Sequence, residues 1–546
     1  MYKLALGLFI PYTGYIGVLE HFGSLLAELC LIILLNRTGS LLYAHNRSYK
    51  TGLLVRQMLI LRCLIMATHP EYEIVVGLEV HAQLLTHSKL FCGDSIAFGA
   101  EPNTQVSPVT LAHPGTLPLM NKSAIELAIK IGLACNCRIE QQNYFARKNY
   151  FYPDLPKGYQ ISQHTTPICV GGYVPVQTEA GKKNVRLNRI HMEEDAGKSL
   201  HDIDDVNTAV DYNRAGTPLV EIVTEPDISS SDEAFAYLTE LRKMVRYLDV
   251  CDGNMEEGSM RCDANVSVRK KGDTELGTKV EVKNLNSIRN VKRAIDFEAE
   301  RLINLLENGE TIKQQTRSFD AGNGTTFAIR DKEDADDYRY FADPDLTPFN
   351  LDAGYINGIR ASLPALHTER IDRYMKEWQL PEYDATVITE EKDFADYFEQ
   401  LCTYTGNYKA AANWMLGPVK SWLNEQNGNI LDFPVTPTTL AAIIKCVDDG
   451  LLNFSSASSR LFNLVIQQPG ATPEQLARDN NLVQQSDAGE LEPIIDAVLQ
   501  KFAAKVQEYK KGKKGLLGLF VGEVVKQSKG KADPKKTNEI LLEKLK

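Results

Sequence analysis

The chain has 546 residues, of which 24% are charged and 43% hydrophobic, with a formal net charge of -11. At roughly 150 residues per domain it can hold three or four units with cores of their own, and its acidic balance excludes nonspecific nucleic-acid binding by the whole surface while leaving room for a local basic patch. Ten cysteines are scattered without a CxxC pair, which argues against a disulfide framework or a zinc ribbon and for a reducing, cytoplasmic compartment.

The first 65 residues differ in character from the rest. Their apolar runs, Leu25–Leu35 and Leu53–Met66, are interrupted by Glu28 and by Arg56 and Arg62, so neither reaches the roughly 20 residues that span a bilayer. Residues 1–65 read as a non-native upstream extension, with translation starting at Met66; an organellar presequence is the second reading and a membrane anchor the third. The segment is expected to pack poorly on the body.

From Glu71 to Leu84 apolar and polar residues alternate, which predicts a strand with Glu79 and His81 on one face. Apolar spacing of three and four predicts a helix over Asn121–Cys135. Short β-rich stretches separated by Gly, Pro and Asn follow to Val268, interrupted by a capped amphipathic helix over Ser231–Leu248. Ser287–Asn308 predicts another helix, ended by Gly309. After Pro364 the chain reads as mostly helical, and from Lys501 it carries thirteen lysines against five acids. The fold class is therefore α+β: a catalytic domain on a mostly antiparallel sheet over residues 70–361, a helical domain over 362–475, and a small basic helical tail over 476–546. The glycines between Gly512 and Gly522 read as turns or close approaches, and the lysines as an RNA-backbone contact.

The densest chemistry lies in Arg189-Ile-His-Met-Glu-Glu-Asp-Ala-Gly-Lys198, where carboxylates suit a hard cation such as Mg²⁺ and the lysine suits phosphate. Alternation puts Arg261, Asp263 and Asn265 on one strand face, and Lys279, Glu281 and Lys283 on another. If the strands carrying Glu79, His81, Glu194 and Asp263 converge, they supply a Mg²⁺ shell, with Lys198, Arg261 and Lys283 facing phosphate oxygens. Taken singly, Glu79 and His81 read as a wet sheet face and His191 as a structural hydrogen-bonder. No G-x-x-x-x-G-K-[ST] and no strand-borne G-x-G-x-x-G occurs, so ATP would be held by metal and side chains rather than a glycine cradle. A self-contained nucleophile set is also missing. Lys148–Gln163 and Asp336–Asp345 crowd aromatic, cationic and proline residues, which fits stacking on a terminal nucleotide or, equally, a loop packing its own tyrosines.

Several of these segments together resemble the B subunit of aspartyl/glutamyl-tRNA amidotransferases. They include Val76-Gly-Leu-Glu-Val-His81, Phe98-Gly-Ala-Glu-Pro-Asn103, Lys148-Asn-Tyr-Phe-Tyr-Pro-Asp154, His191-Met-Glu-Glu-Asp-Ala-Gly-Lys-Ser199, Gly216-Thr-Pro-Leu-Val-Glu-Ile-Val223, Met255-Glu-Glu-Gly-Ser-Met-Arg-Cys-Asp-Ala-Asn265 and Asp336-Asp-Tyr-Arg-Tyr-Phe341, and the likeness runs over roughly residues 70–546. The resemblance implies a ligase. With ATP, such a protein phosphorylates the side-chain carboxylate of mischarged Glu-tRNA(Gln) or Asp-tRNA(Asn), and ammonia then gives the amide. It also implies a heterotrimer with an amidase A subunit, which releases the ammonia from glutamine, and a small C subunit. Carried onto this sequence, Glu79, His81, Glu194 and Asp263 are the Mg²⁺ shell, and Lys148 with Glu194 lines the ammonia exit. Glu193, Glu281, Lys198, Arg261 and Lys283 are further pocket candidates. Relatives of this kind often carry a four-cysteine zinc site after Phe91; here Cys92, Asp94, Ser107 and Thr110 stand at those places, so no zinc is expected. The rival readings are a noncatalytic tRNA-binding scaffold of the same complex and a free-standing metal-dependent hydrolase.

Overall fold

The computed structural model describes residues 69–178, 181–201, 203, 206–331, 338–484, 488–528 and 532–546. The upstream extension, and with it the expectation of loose packing, lies outside them, as do Asp336 and Asp337. Ten strands form the main path of a sheet: β1 (Tyr72–Gln83), β2 (Ala146–Asn149), β3 (Tyr159–Ser162), β4 (Gly181–Glu194), β5 (Pro218–Thr224), β6 (Met260–Lys270), β7 (Val280–Lys283), β8 (Gln315–Asp320), β9 (Thr325–Asp331) and β10 (Arg339–Ala342). Their spatial order is β9-β8-β7-β6-β1-β5-β4-β3-β2-β10, and three short strands beside β4 bring the described sheet to thirteen. The fold is α+β, with this sheet followed by helices.

In β1 the alternation read from the sequence is realised: Val76, Leu78, Val80 and Ala82 are buried, while Glu79 and His81 point to the opposite face and stay half-buried. The same split runs through β6, where Met260, Cys262, Ala264 and Val266 enter the core and Arg261, Asp263 and Asn265 do not. All described pairings of the main path are antiparallel except β7 with β8. A parallel pair needs a crossover, and the helix α3 (Ile288–Glu307) supplies it.

Three helices line the apolar side. α1 (Lys122–Ala134) starts where Asn121 accepts the amides of Ser123 and Ala124, α2 (Ser231–Tyr247) where Ser230 accepts that of Glu233, and α3 where Ser287 accepts that of Asn290. Such caps are worth about 1 kcal/mol each, and all three agree with the helix starts expected from the sequence to within a residue or two. α3 packs on β6 and α2 packs on α3, so the sheet is covered on one face and its charged face is left for chemistry.

Beyond residue 366 two separate helical cores follow, one around Tyr374, Phe398, Trp414, Met415 and Leu440, the other around Leu491, Ile495, Phe520, Val524 and Leu541. In the second, Gly512 turns the chain with φ +111, but Gly518 and Gly522 sit inside the helix Leu517–Gln527 with open space where a side chain would stand. The expectation of a turn at every glycine fails there because neighbouring Leu, Phe and Val supply the packing that holds the helix. Lys510, Lys511, Lys513, Lys514, Lys526, Lys535 and Lys536 are exposed. Among the described residues no helix is long and apolar enough to cross a membrane, and eight cysteines are free thiols.

One ion network ties the crossover helix to the sheet edge. Glu298 of α3 is fully buried and accepts from Arg317 Nε at 3.0 Å and Arg301 Nη2 at 2.8 Å, and from the Thr326 hydroxyl of β9. Removing one member strands a charge in the interior, at about 3–5 kcal/mol. Glu298→Leu is therefore expected to destabilise this part of the protein by that amount, whereas Glu73→Leu, which breaks the half-exposed pair with Arg269, costs no more than about 1 kcal/mol. Chemical denaturation of the two variants tests the ranking; equal losses contradict it.

Candidate functional site

The site follows from the pairing register, because residues directly opposite in a sheet share a face. Glu79 stands opposite Asp263 and His81 opposite Arg261 on one side of β1. On its other side His81 stands opposite Glu221, which in turn faces His191 of β4. Asn265 lies opposite Glu281 of β7. Steps of two along each strand then put Lys283, Glu281, Asp263, Arg261, Glu79, His81, Glu221, His191 and Glu193 on one surface.

Two groups of possible metal ligands form on it. Carboxylate oxygens of Glu79, Asp263 and Glu281 lie within 4.8 Å of one another, as do ligand atoms of His81, Glu193 and Glu221. In the first group Lys283 Nζ binds Asp263 Oδ2 at 2.6 Å and Glu281 Oε1 at 2.9 Å, while Asn265 donates to Glu79 at 2.9 Å. Burial first, and then the charges of Glu221, Glu281 and Asp263, push the Glu79 carboxyl above its ordinary value, and Asn265 opposes them. In the second group His81 Nε2 lies 3.3 Å from Glu193 and 3.5 Å from Glu221, and His191 Nε2 lies 3.2 Å from Glu221. Burial opposes the cation at His81, but the two carboxylates outweigh it and raise the imidazole to about 10. Beside the groups, Asp195 takes both guanidinium arms of Arg261, at 2.9 and 3.2 Å, and an amide hydrogen bond from Gln83.

Residues 74–357 match the GatB/GatE catalytic domain and residues 396–545 the GatB domain. The B subunit of the aspartyl/glutamyl-tRNA(Asn/Gln) amidotransferase of Geotalea uraniireducens is 51% identical over 478 residues, 87% of this chain and 99% of its own. Those of Chlorobaculum tepidum and Thermodesulfovibrio yellowstonii are 50% and 48% identical, over 86% and 87% of this chain. The chain belongs to this B-subunit family. It is thus one component of a tRNA-dependent amidotransferase, a complex that works in translation.

Against the ligand shell that the family resemblance implies, the structure makes one separation. Glu79, His81 and Asp263 share the polar face, but Glu194 does not join them. Glu193 and Glu194 are successive residues of β4, and the pleat sends them to opposite faces. Glu194 is buried on the reverse side, with Lys157 clamped to its carboxylate and the Ile161 amide donating at 2.9 Å. Lys148 is on the opposite face from the Glu194 carboxylate: it stands opposite Gln160 in the sheet, two residues along β3 from Ser162, which faces Glu193. The link between them is indirect, since Gln160 donates to the Glu194 carbonyl at 2.8 Å and accepts from Tyr150 at 3.3 Å. Lys198 is exposed and lines a separate groove with Asp211 and Arg214 rather than either carboxylate group.

The reverse side also holds Cys92, Asp94, Ser107 and Thr110, the four positions at which the resemblance places a zinc site. Asp94 Oδ2 accepts from the Thr110 hydroxyl at 2.5 Å and the Ser107 amide at 2.7 Å, and Cys92 Sγ lies 3.4 Å from Thr110. One thiol, one carboxylate and two hydroxyl residues, already bonded among themselves, do not fit the soft four-donor set of structural zinc.

Reading the residues alone missed Glu221 and Lys157 as site members, and named Asp195 only as part of the acidic run Glu193–Asp195. Glu221 had a signal: it is the single charge in Pro218-Leu-Val-Glu-Ile-Val-Thr224, a strand otherwise apolar up to its final threonine, where an acid needs a partner. Lys157 had none, because its partner is set by a loop.

The His81 cluster has a defined pH window. Burial opposes ionisation of Glu193, yet hydrogen bonds from His191 and His81 hold it at about 2. A raised imidazole stabilises fully below its ordinary 6.5 and fades as pH climbs through about 10; a depressed carboxyl stabilises above its ordinary 4.5 and fades toward about 2. In metal-free buffer His81→Gln is expected to lower the unfolding temperature by roughly 2 °C or more at pH 6, and by progressively less as pH approaches 10. An equal deficit at both ends contradicts the charged pair.

Proposed function

We propose that the polar face is where the side-chain carboxylate of Glu-tRNA(Gln) or Asp-tRNA(Asn) is phosphorylated by ATP and amidated. The observation that carries this reading is the oxygen-only group Glu79, Asp263 and Glu281, with cations Lys283 and Arg261 beside it, on a B-subunit fold. Hard oxygen donors suit Mg²⁺, so those three residues would hold the ion, with His81 one step along β1. The ion would supply charge neutralisation where two anions, carboxylate and nucleotide, must approach.

The rest is done by the chain's own groups. A carboxylate resists ammonia because it is anionic and has no adequate leaving group. Transfer of the terminal phosphoryl of ATP to a carboxylate oxygen gives an acyl phosphate and ADP. Ammonia then forms the C–N bond as the C–O bond to phosphate breaks, giving amide and inorganic phosphate. Lys283 and Arg261 are neutralised by Asp263, Glu281 and Asp195 in the free protein, and in this reading they turn to phosphate oxygens when substrate binds. Glu193, held by His81 and His191, keeps those imidazoles charged toward an anionic substrate. Ammonia reaches the face from a partner amidase, with a small third protein completing the complex, and Lys148 stands on its side of arrival. Glu194 lies on the reverse side with Lys157 on its carboxylate, out of reach of ammonia on this face, so the proton lost by the attacking nitrogen leaves with the departing phosphate. The exposed lysines of the tail, from residue 476 onward, bind the tRNA backbone.

The test is ATP hydrolysis stimulated by Glu-tRNA(Gln) or Asp-tRNA(Asn), with the partner proteins present. Stimulation in the wild type, and at least a hundred-fold loss in Glu79→Gln and Asp263→Asn with tRNA binding kept, is the expected result. A complex that binds tRNA but never stimulates hydrolysis is a scaffold, and the proposal falls. Separately, because Glu194 is on the reverse side, Glu194→Gln is expected to keep ammonium-dependent amidation within about three-fold of wild type when ammonium salt replaces glutamine. A loss of about a hundred-fold or more with phosphorylation retained would put Glu194 into proton transfer and contradict its placement.

A further inference from the structure

The reverse side of the sheet carries an arrangement that the reaction leaves unused. Cys92, Asp94, Ser107 and Thr110 stand on one loop, and their side chains converge. Thr110 Oγ1 lies 2.5 Å from Asp94 Oδ2 and 3.4 Å from Cys92 Sγ, and the Ser107 amide donates to Asp94 Oδ2 at 2.7 Å. Thiolates around a tetrahedral zinc, each about 2.3 Å from the ion, stand roughly 3.8 Å apart. The loop therefore has the span of such a shell but the wrong donors to fill it.

What fastens the loop is visible in the same contacts. Lys89 is 1% exposed, and its Nζ donates to Thr110 Oγ1 at 3.4 Å and to the Tyr212 carbonyl at 3.2 Å. Thr110 thus accepts from an ammonium and donates to a carboxylate, bridging two opposite charges. Burial raises the Asp94 carboxyl, but hydrogen bonds from Thr110 and Ser107 outweigh it and hold the group below its ordinary value. Burial also lowers the Lys89 ammonium, against the charges of Cys92 and Asp94. A cation and an anion drawn away from water hold together, because freeing either leaves the other unmatched. The fourth position takes no part: Ser107 Oγ is buried and has no hydrogen-bond partner, where nearly all buried hydroxyls have one. Four places converge, and the hydrogen-bonded side chains use three.

The loop also has something to hold. Cys92 and Thr110, with Phe91, wall the small cavity in which Lys157 is clamped to Glu194, and Lys157 Nζ lies 5.8 Å from the Phe91 ring centre. We propose that Asp94, bridged through Thr110 to the buried ammonium of Lys89, fastens this loop in place of a metal ion, and that the four positions still converge closely enough to take up zinc once all of them carry thiols. These groups lie on the reverse side, so the outcome is independent of the chemistry proposed for the polar face.

The experiment uses the full-length chain and follows its zinc content and its proteolytic cleavage within residues 91–118. The wild type is expected to carry about a tenth of a zinc ion per chain or less, with a cleavage rate that a zinc chelator leaves unchanged. Asp94→Asn keeps the shape of the side chain and removes its charge; cleavage in the loop is expected to speed up about five-fold or more, with cleavage elsewhere unchanged. Asp94→Cys, Ser107→Cys and Thr110→Cys together complete a set of four thiols with Cys92. That variant is expected to bind about one zinc ion per chain, to show with cobalt the strong visible absorption of a tetrahedral thiolate site, and to be cleaved at least about five-fold faster once a chelator is added. Stoichiometric zinc in the wild type overturns the proposal, and so does an Asp94→Asn chain cleaved in the loop at the wild-type rate or cleaved faster throughout. A four-thiol variant that takes up no zinc, folded or not, overturns the convergence of the four positions.

Discussion

The antiparallel register of β1 between β6 and β5 is the constraint on which the site depends. Slipped by one residue, that pairing would bury Glu79 and His81 in the hydrocarbon packing below the sheet and expose Leu78 and Val80. The apolar half of each strand opposes such a slip, since Val76, Leu78, Val80, Cys262, Ala264, Val266, Val220 and Ile222 are all buried together. Core packing and site assembly are thus one decision. The energy that fixes the register comes from the dry face, and the chemistry is displayed on the wet one.

A surface carrying so many carboxylates survives because each is matched. Asp195 has Arg261, Asp263 and Glu281 share Lys283, and Glu193 and Glu221 hold His81 and His191. Lys283, Arg261 and His81 keep some exposure, whereas Asp195, Glu193 and His191 are buried, so a partner given up there has to be replaced by the ligand. Glu298, wholly buried itself and paired with the partly exposed Arg317 and Arg301, serves the fold. Its network fastens α3 to the sheet.

The two faces of β4 divide the labour differently from a single shell. Glu193 belongs to the polar floor, and Glu194 to a compact reverse side with Lys157, Phe91 and the buried Lys89. Lys89, 1% exposed, reaches the Tyr212 carbonyl at 3.2 Å, and burial lowers its pKa. The loop carrying Cys92, Asp94, Ser107 and Thr110 closes over this side by hydrogen bonds centred on the Asp94 carboxylate.

Local sequence sufficed for what has a local cause. Alternation of period two exposed β1 and β6 and the faces of Glu79, His81, Arg261 and Asp263; capping residues and three-four spacing exposed α1, α2 and α3; and ordered motifs pointed to the family. What lay beyond it were partnerships across the chain: Glu221 brought to His81, Lys157 brought to Glu194, Tyr338 laid on Lys148. Side-chain parity within a strand is set by covalent geometry and follows from residue order alone, but which strands become neighbours, and in which register, is settled by long-range burial of apolar surface. For that reason the sequence determined the kinds of group available and the face each one takes, while only the tertiary structure decided that Glu79, Asp263 and Glu281 meet, and that Glu194 turns away from them.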